Sequence, residues 1–287
     1  MFQKAALIAA AALALFAPAG RAQDSAEGDP YVLAAMNDFN GVLRAEWMDL
    51  RAEWMDLRIQ VEQVELLTVA RDHSVSHLHR QPFRWVAGDP RRNASGNGLT
   101  YLVDRADGLG GEAEAAIDRA MTTWGADSCL QKVALTKRSG DGVDADLFDS
   151  RYGYGSFGDY RAADVVDAGL LPPDFFERVT GPGGGKSVVA LSVTFIYVDR
   201  DGNPSDLDHD GYLDTAHSEI YFNQGFFSGS NKLDFETVAL HESGHALGVA
   251  HAGPPPAAVM NPWYAGPRRE LLPLDHAALC AVWASGQ

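Results

Sequence analysis

His241-Glu242-Ser243-Gly244-His245-Ala246-Leu247-Gly248-Val249-Ala250-His251 decides the reading of this chain. On a helix, residues i and i+4 lie one above the other, so His241 and His245 point the same way. Two imidazoles at that spacing can grip one metal ion. Glu242 stands one position round from His241, where a carboxylate can take a proton from a water beside that ion. Gly248 is free to adopt a positive φ, end the helix and turn the chain back. The turn brings His251 round as a third nitrogen donor. Three imidazoles with an open fourth position describe a reactive Zn²⁺ site rather than a closed structural one.

A second stretch follows nine residues after His251: Met260-Asn261-Pro262-Trp263-Tyr264. Together the two resemble the metzincin clan of zinc endopeptidases. The Met-x-Pro-x-Tyr turn is most similar to the matrixin branch. The resemblance implies one catalytic Zn²⁺ on His241, His245 and His251, with Glu242 as general base. It implies Met260 as an apolar floor beneath the histidines. It implies Pro262 and Tyr264 as walls of the pocket for the residue after the cut bond. An extended protein or peptide would be the substrate. Two features depart from the matrixin pattern: Ala252 follows the third histidine, and no cysteine precedes Cys129. The second removes the cysteine switch, so latency needs another group. Asp89, in Gly88-Asp89-Pro90, is the candidate, by analogy with the aspartate that closes the zinc in astacins; a plain turn is the other reading. The rival function is a catalytically silent, secreted zinc-binding module on the same fold. Retention of Glu242 argues against it, because metal binding alone does not need that carboxylate.

The chain of 287 residues allows one good-sized domain and an appendage. A net charge of −16 argues against nucleic acid or an anionic membrane as partner. Residues 1–22 read as a signal peptide: Lys4, then an apolar run from Ala5 to Phe16, then small residues. Cleavage there leaves no membrane anchor and sends the protein to the extracellular or periplasmic space. In that oxidising setting Cys129 and Cys280 read either as one disulfide or as two buried thiols.

Residues 23–80 read as an N-terminal helical segment. RAEWMDL occurs twice in tandem, at 44–50 and 51–57. Seven residues are two helical turns, so Leu43, Trp47, Leu50, Trp54, Leu57, Val61 and Val64 form one apolar seam. A helix over 43–64 could dock as a pro-region, self-associate as a short coiled coil, or simply lengthen a surface helix. The catalytic domain spans 81–287. Its expected class is α+β: a twisted mixed sheet, the motif helix capped by Asp234, the Met-turn and a C-terminal helix over 271–283. Strands are expected at 99–103, 133–135, 187–198 and 219–223, with a helix over 112–125. The 219–223 strand is expected at the sheet edge, free to pair with substrate. Between the last two strands, Asp206, Asp208, Asp210, Gly211 and Asp214 form half of a Ca²⁺ loop; a solvated acidic loop is the bland reading.

Overall fold

The computed structural model describes residues 28–49, 58–69, 76–77, 82–92, 96–140, 144–155, 157–158, 160–230, 232–252 and 258–283. The expected signal peptide and most of the tandem repeat lie outside the described residues.

The fold is α+β around one mixed sheet. Its strands are β1 (Arg58–Thr68), β2 (Ser76–His77), β3 (Phe83–Arg84), β4 (Leu99–Val103), β5 (Leu135–Lys137), β6 (Val165–Leu171), β7 (Val188–Val198) and β8 (Leu213–Asn223). They run in the order β2-β1-β7-β8-β6-β4-β5, and β3 pairs with β8 off this path. β1, β7 and β8 pair antiparallel; β8, β6, β4 and β5 pair parallel. The helices are α1 (Pro30–Asp49), α2 (Glu112–Gly125), α3 (Pro173–Thr180), the single turn α4 (Gly184–Ser187), α5 (Phe235–Ala246) and α6 (Pro273–Trp283).

Among the described residues two large apolar cores and one small cluster (Ile196, Val198 and Leu213) form, and the two large ones lie on opposite faces because alternate residues of β7 and β8 point to opposite sides. One core joins Ile220 and Phe222 to Trp124 of α2, Val238 and Leu240 of α5, and Met260. The other joins Leu191, Val193, Phe195 and Tyr221 to α3 and to Val32, Met36, Phe39 and Leu43 of α1. α1 begins at Asp29, whose carboxylate accepts the amides of Tyr31 and Val32.

The expected helix over 43–64 is not formed: α1 runs to Asp49, and Arg58–Thr68 is a strand. Self-association through that helix therefore has no structural basis. The cause is a β-bulge. Pairing with β7 shifts register between Val61 and Gln63, which spaces the inward residues Val61 and Val64 three apart, as on a helix. Asn40, which the sequence marks as a weak point in the helix, closes the bulge. Its side chain donates to Val61 O at 3.0 Å and accepts from Val61 N at 2.8 Å.

Other expectations also shift. The 219–223 stretch lies in β8, which is paired on both sides rather than at an edge. It reads as an edge only if the partner strands are not recognised, and β6 is one of these. Val165–Leu171 is not among the expected strands, because Asp167 and Gly169 interrupt its apolar pattern. Glu112–Gly125 forms as expected, and β5 lies slightly later than 133–135. Cys129 and Cys280 form a disulfide between the turn after α2 and α6.

Candidate functional site

Asp234 starts α5. Its carboxylate accepts Thr237 N at 3.1 Å and Thr237 Oγ1 at 2.6 Å. The helix ends after Ala246, where Gly248 takes φ 87° and returns the chain toward the sheet. Two indole N–H groups hold this end, Trp85 donating to Ala246 O and Trp283 to Leu247 O, while Trp124 donates to Leu240 O in mid-helix. The loop carrying His251 therefore leaves a helix end whose carbonyls are satisfied.

The three imidazoles converge. Their Nε2 atoms are 3.0 Å apart for His241–His245, 3.1 Å for His245–His251 and 3.3 Å for His251–His241. His241 Nδ1 bonds Val259 O at 2.8 Å, and His245 Nδ1 bonds Val249 O at 2.9 Å. A carbonyl only accepts, so both rings carry their proton on Nδ1 and turn a lone pair inward. Burial, then the neighbouring rings, holds His241 and His245 well below the ordinary histidine pKa, which keeps them neutral. Inward lone pairs with no donor among them call for a cation. Zn–N bonds of ~2.0–2.1 Å in a tetrahedron place the nitrogens about 3.3–3.4 Å apart. The donor set and its spacing fit zinc.

Glu242 is fully buried beside this cluster. Its Oε2 accepts from Ser192 Oγ at 2.6 Å, while Oε1 has no partner among the described residues. Burial pushes its carboxyl up to about 8 against the opposing Ser192 hydrogen bond. Ser192, on β7, escaped the sequence reading because a lone serine in an apolar strand carries no signal.

Met260 lies beneath α5 with its sulfur against Gly244. A Cβ at Gly244 would collide with that sulfur and meet Trp124 Cζ2 at 2.7 Å. The turn is held by Asp275 of α6, which accepts Val259 N at 2.9 Å and Met260 N at 3.0 Å. Nothing in the sequence marks Asp275, since an Asp in a helix's first turn is ordinary. Tyr264 Oη accepts Asp234 N at 3.1 Å, joining the wall segment to the start of α5. A small cavity beside His241 is lined by Leu67, Val259, Trp263 and Tyr264, among others.

The cleft itself holds β1. The strand pairs antiparallel with β7 from Arg58 to Thr68, so Glu65 lies opposite Ser192. Its end meets the other wall: Tyr264 N donates to Thr68 O at 2.8 Å, and Thr68 bridges Trp263 in parallel. Leu67 is buried against the cavity beside His241. Glu65 Oε2 lies 3.0 Å from His251 Nδ1 and 3.6 Å from His245 Nε2, yet accepts no aligned hydrogen bond.

Asp89 is elsewhere. Its carboxylate is clamped by Arg91, which also pairs with Asp214 at 2.6 Å. Asp214 accepts the loop amide of Leu207 at 2.9 Å but does not join the other carboxylates of the loop. Asp206, Asp208 and Asp210 do gather, but Arg84 pairs with Asp210 and approaches Asp208 at 3.9 Å. The loop thus already has a positive partner. Its carboxylates no longer require an ion to offset their repulsion.

A family model described as matrixin matches residues 173–283, from α3 through α6. The chain is matrixin-like. That matrixin match carries a metalloprotease-type function in general, with zinc as its metal and proteins as its substrates. The matrixin match takes in the histidine cluster and the Met260 turn, and leaves α1 and β1 outside. No curated protein matches the chain. No described helix is long and apolar enough to cross a membrane.

Proposed function

We propose that this chain is a secreted, zinc-dependent endopeptidase whose N-terminal segment is a pro-region. The observation that carries the reading is the convergence of three imidazole Nε2 atoms beside a buried glutamate. His241, His245 and His251 hold the zinc. When bound, zinc lowers the pKa of a water toward ~7 and polarises a carbonyl. Glu242 accepts the proton of the attacking water and passes it to the leaving amine. Ser192 fixes one Glu242 oxygen, which leaves the other to face the reaction. Pro262, Trp263 and Tyr264 form one wall of the groove and β7 the other, so an extended peptide is held by backbone pairing on both sides. Met260 keeps α5 seated beneath the site.

Residues 23–80 act as the pro-region. β1 fills the groove, its Thr68 bonded to the wall, and Glu65 brings a carboxylate oxygen beside the histidine cluster, 3.0 Å from His251 Nδ1 and 3.6 Å from His245 Nε2. A carboxylate is a competent zinc ligand and would displace the water that the chemistry needs. Glu65 thus takes the role expected of Asp89.

The test is a quenched-peptide assay on protein freed of residues up to 80, with and without chelator. Glu242→Gln should retain zinc by metal analysis and lose turnover about 10²–10⁴-fold, because an amide cannot take the proton. Near-normal cleavage by zinc-loaded Glu242→Gln would remove Glu242 from the mechanism. Absence of chelator-sensitive cleavage by the freed wild type would favour a silent zinc-binding module.

A further inference from the structure

A group of carboxylates lies apart from both the histidine cluster and the 206–214 loop. Asp104, Asp107 and Asp146 each offer an oxygen, and these oxygens lie within 4.8 Å of one another. Asp104 and Asp146 are fully buried. Neither oxygen of Asp146 has a hydrogen-bond partner among the described residues, nor does Asp104 Oδ2. Asp149, buried beside Asp146, has its carboxyl in direct contact with that of Asp146, so a proton shared between the two is the alternative to a cation. Buried charges in folded proteins are paired, hydrogen-bonded or bound to a metal, because an isolated one is costly.

The backbone on each side of the group is anchored. Asp104 N donates to Asp167 O at 2.9 Å, and its Oδ1 accepts Ala106 N at 2.7 Å. Leu170 N donates to Asp107 O at 2.8 Å, fixing this loop to β6. On the other side, Glu219 of β8 accepts Leu147 N at 2.7 Å and Phe148 N at 3.1 Å. Gly158 N donates to Asp146 O at 2.9 Å. The backbone that carries Asp104, Asp107 and Asp146 is thus fixed by the fold.

We infer that Asp104, Asp107 and Asp146 form a binding site for one calcium ion. The ligands are all hard oxygens, as calcium requires. Ca–O distances of ~2.3–2.6 Å allow two ligand oxygens to stand up to about 5 Å apart across the ion. The smaller octahedral shell of Mg²⁺ fits such spacing less well. The ion joins the loop after β4 to the loop before β6, and it neutralises a charge cluster at the rim of the second core.

The test uses the full-length chain in calcium-depleted buffer with zinc present, titrated with calcium chloride by calorimetry and thermal melting. Wild type should bind calcium and gain about 5 °C or more in Tm at saturation. Asp146→Asn should lose both responses. In calcium-free buffer it should melt no lower than wild type, because burial and the neighbouring Asp149 already hold the Asp146 carboxyl neutral and an amide takes its place without loss of charge. Asp107→Asn, at a less buried position, should weaken binding at least 10-fold and covers the case in which Asp146→Asn fails to fold. Asp208→Asn/Asp210→Asn, in the separate acidic loop, should respond as wild type does. An unresponsive wild type would overturn the site. So would an Asp146→Asn or Asp107→Asn protein with wild-type calcium binding, or a response abolished by the loop variant.

Discussion

At the scale of single residues, hydrogen bonding rather than composition sets the site. His241 and His245 are made inward donors by two carbonyls, Val259 O and Val249 O, that no motif specifies. The motif residues were legible because metal chemistry restricts which side chains can stand at each position. Ser192, Gly244 and Asp275 were not, because each acts through a contact made between distant segments. Asp234 lies between these cases: its capping role is local and readable, while its bond to Arg269 spans 35 residues. Asp234→Ala should destabilise the protein by about 1 kcal/mol, lowering Tm by about 2–4 °C. The hydrogen bond from Arg269 holds the Asp234 carboxyl below its usual range, against partial burial. A depressed carboxyl stabilises the fold above its unfolded pKa of ~4, and that share is lost as pH falls through the folded value. The Tm gap between wild type and Asp234→Ala should therefore narrow between pH 5 and about pH 3. A gap that widens on acidification would mean that the carboxylate form is not the stabilising one.

At the scale of elements, α5, α2 and β7 were readable from their periods, and β1 was not. A bulged strand and a short heptad run share their apolar spacing; only pairing with β7 and the amide of Asn40 decide between them. The misreading matters, since it hid Glu65. With β1 in the groove, the full-length chain should be nearly inactive. If the groove is open about 1% of the time, peptide turnover should rise about 100-fold once residues up to 80 are cut away and removed. Glu65→Gln, with a weaker ligand but the same strand, should show intermediate activity without trimming. Asp89→Ala should show none beyond wild type. Equal specific activity of trimmed and untrimmed wild type would mean that β1 does not block the groove.

At the scale of the molecule, the Cys129–Cys280 disulfide closes a loop of 151 residues and ties α6 to the turn after α2. α6 also carries Asp275, which holds the Met260 turn, and Trp283, which bonds the end of α5. Sequence alone left disulfide and free thiols open, because pairing depends on a distance that only the fold sets. A crosslink over so long a loop is worth about 2–5 kcal/mol. Reduction, or Cys129→Ser/Cys280→Ser, should lower Tm by about 5 °C or more. It should also weaken zinc retention, as measured by competition with a chromogenic chelator. An unchanged Tm after verified reduction would show that packing alone holds α6.

Covering β7 would also have a colloidal consequence. β1 covers the side of β7, whose eleven residues are all buried and mostly apolar. A molecule stripped of β1 would present that row of amides and carbonyls to any passing chain, and bare strand edges of this kind seed precipitation. Under the proposed function, the segment that blocks the groove would also keep the protein dispersed while it folds. The active form exchanges that protection for access, and its solubility then depends on how readily other peptides occupy the vacated edge.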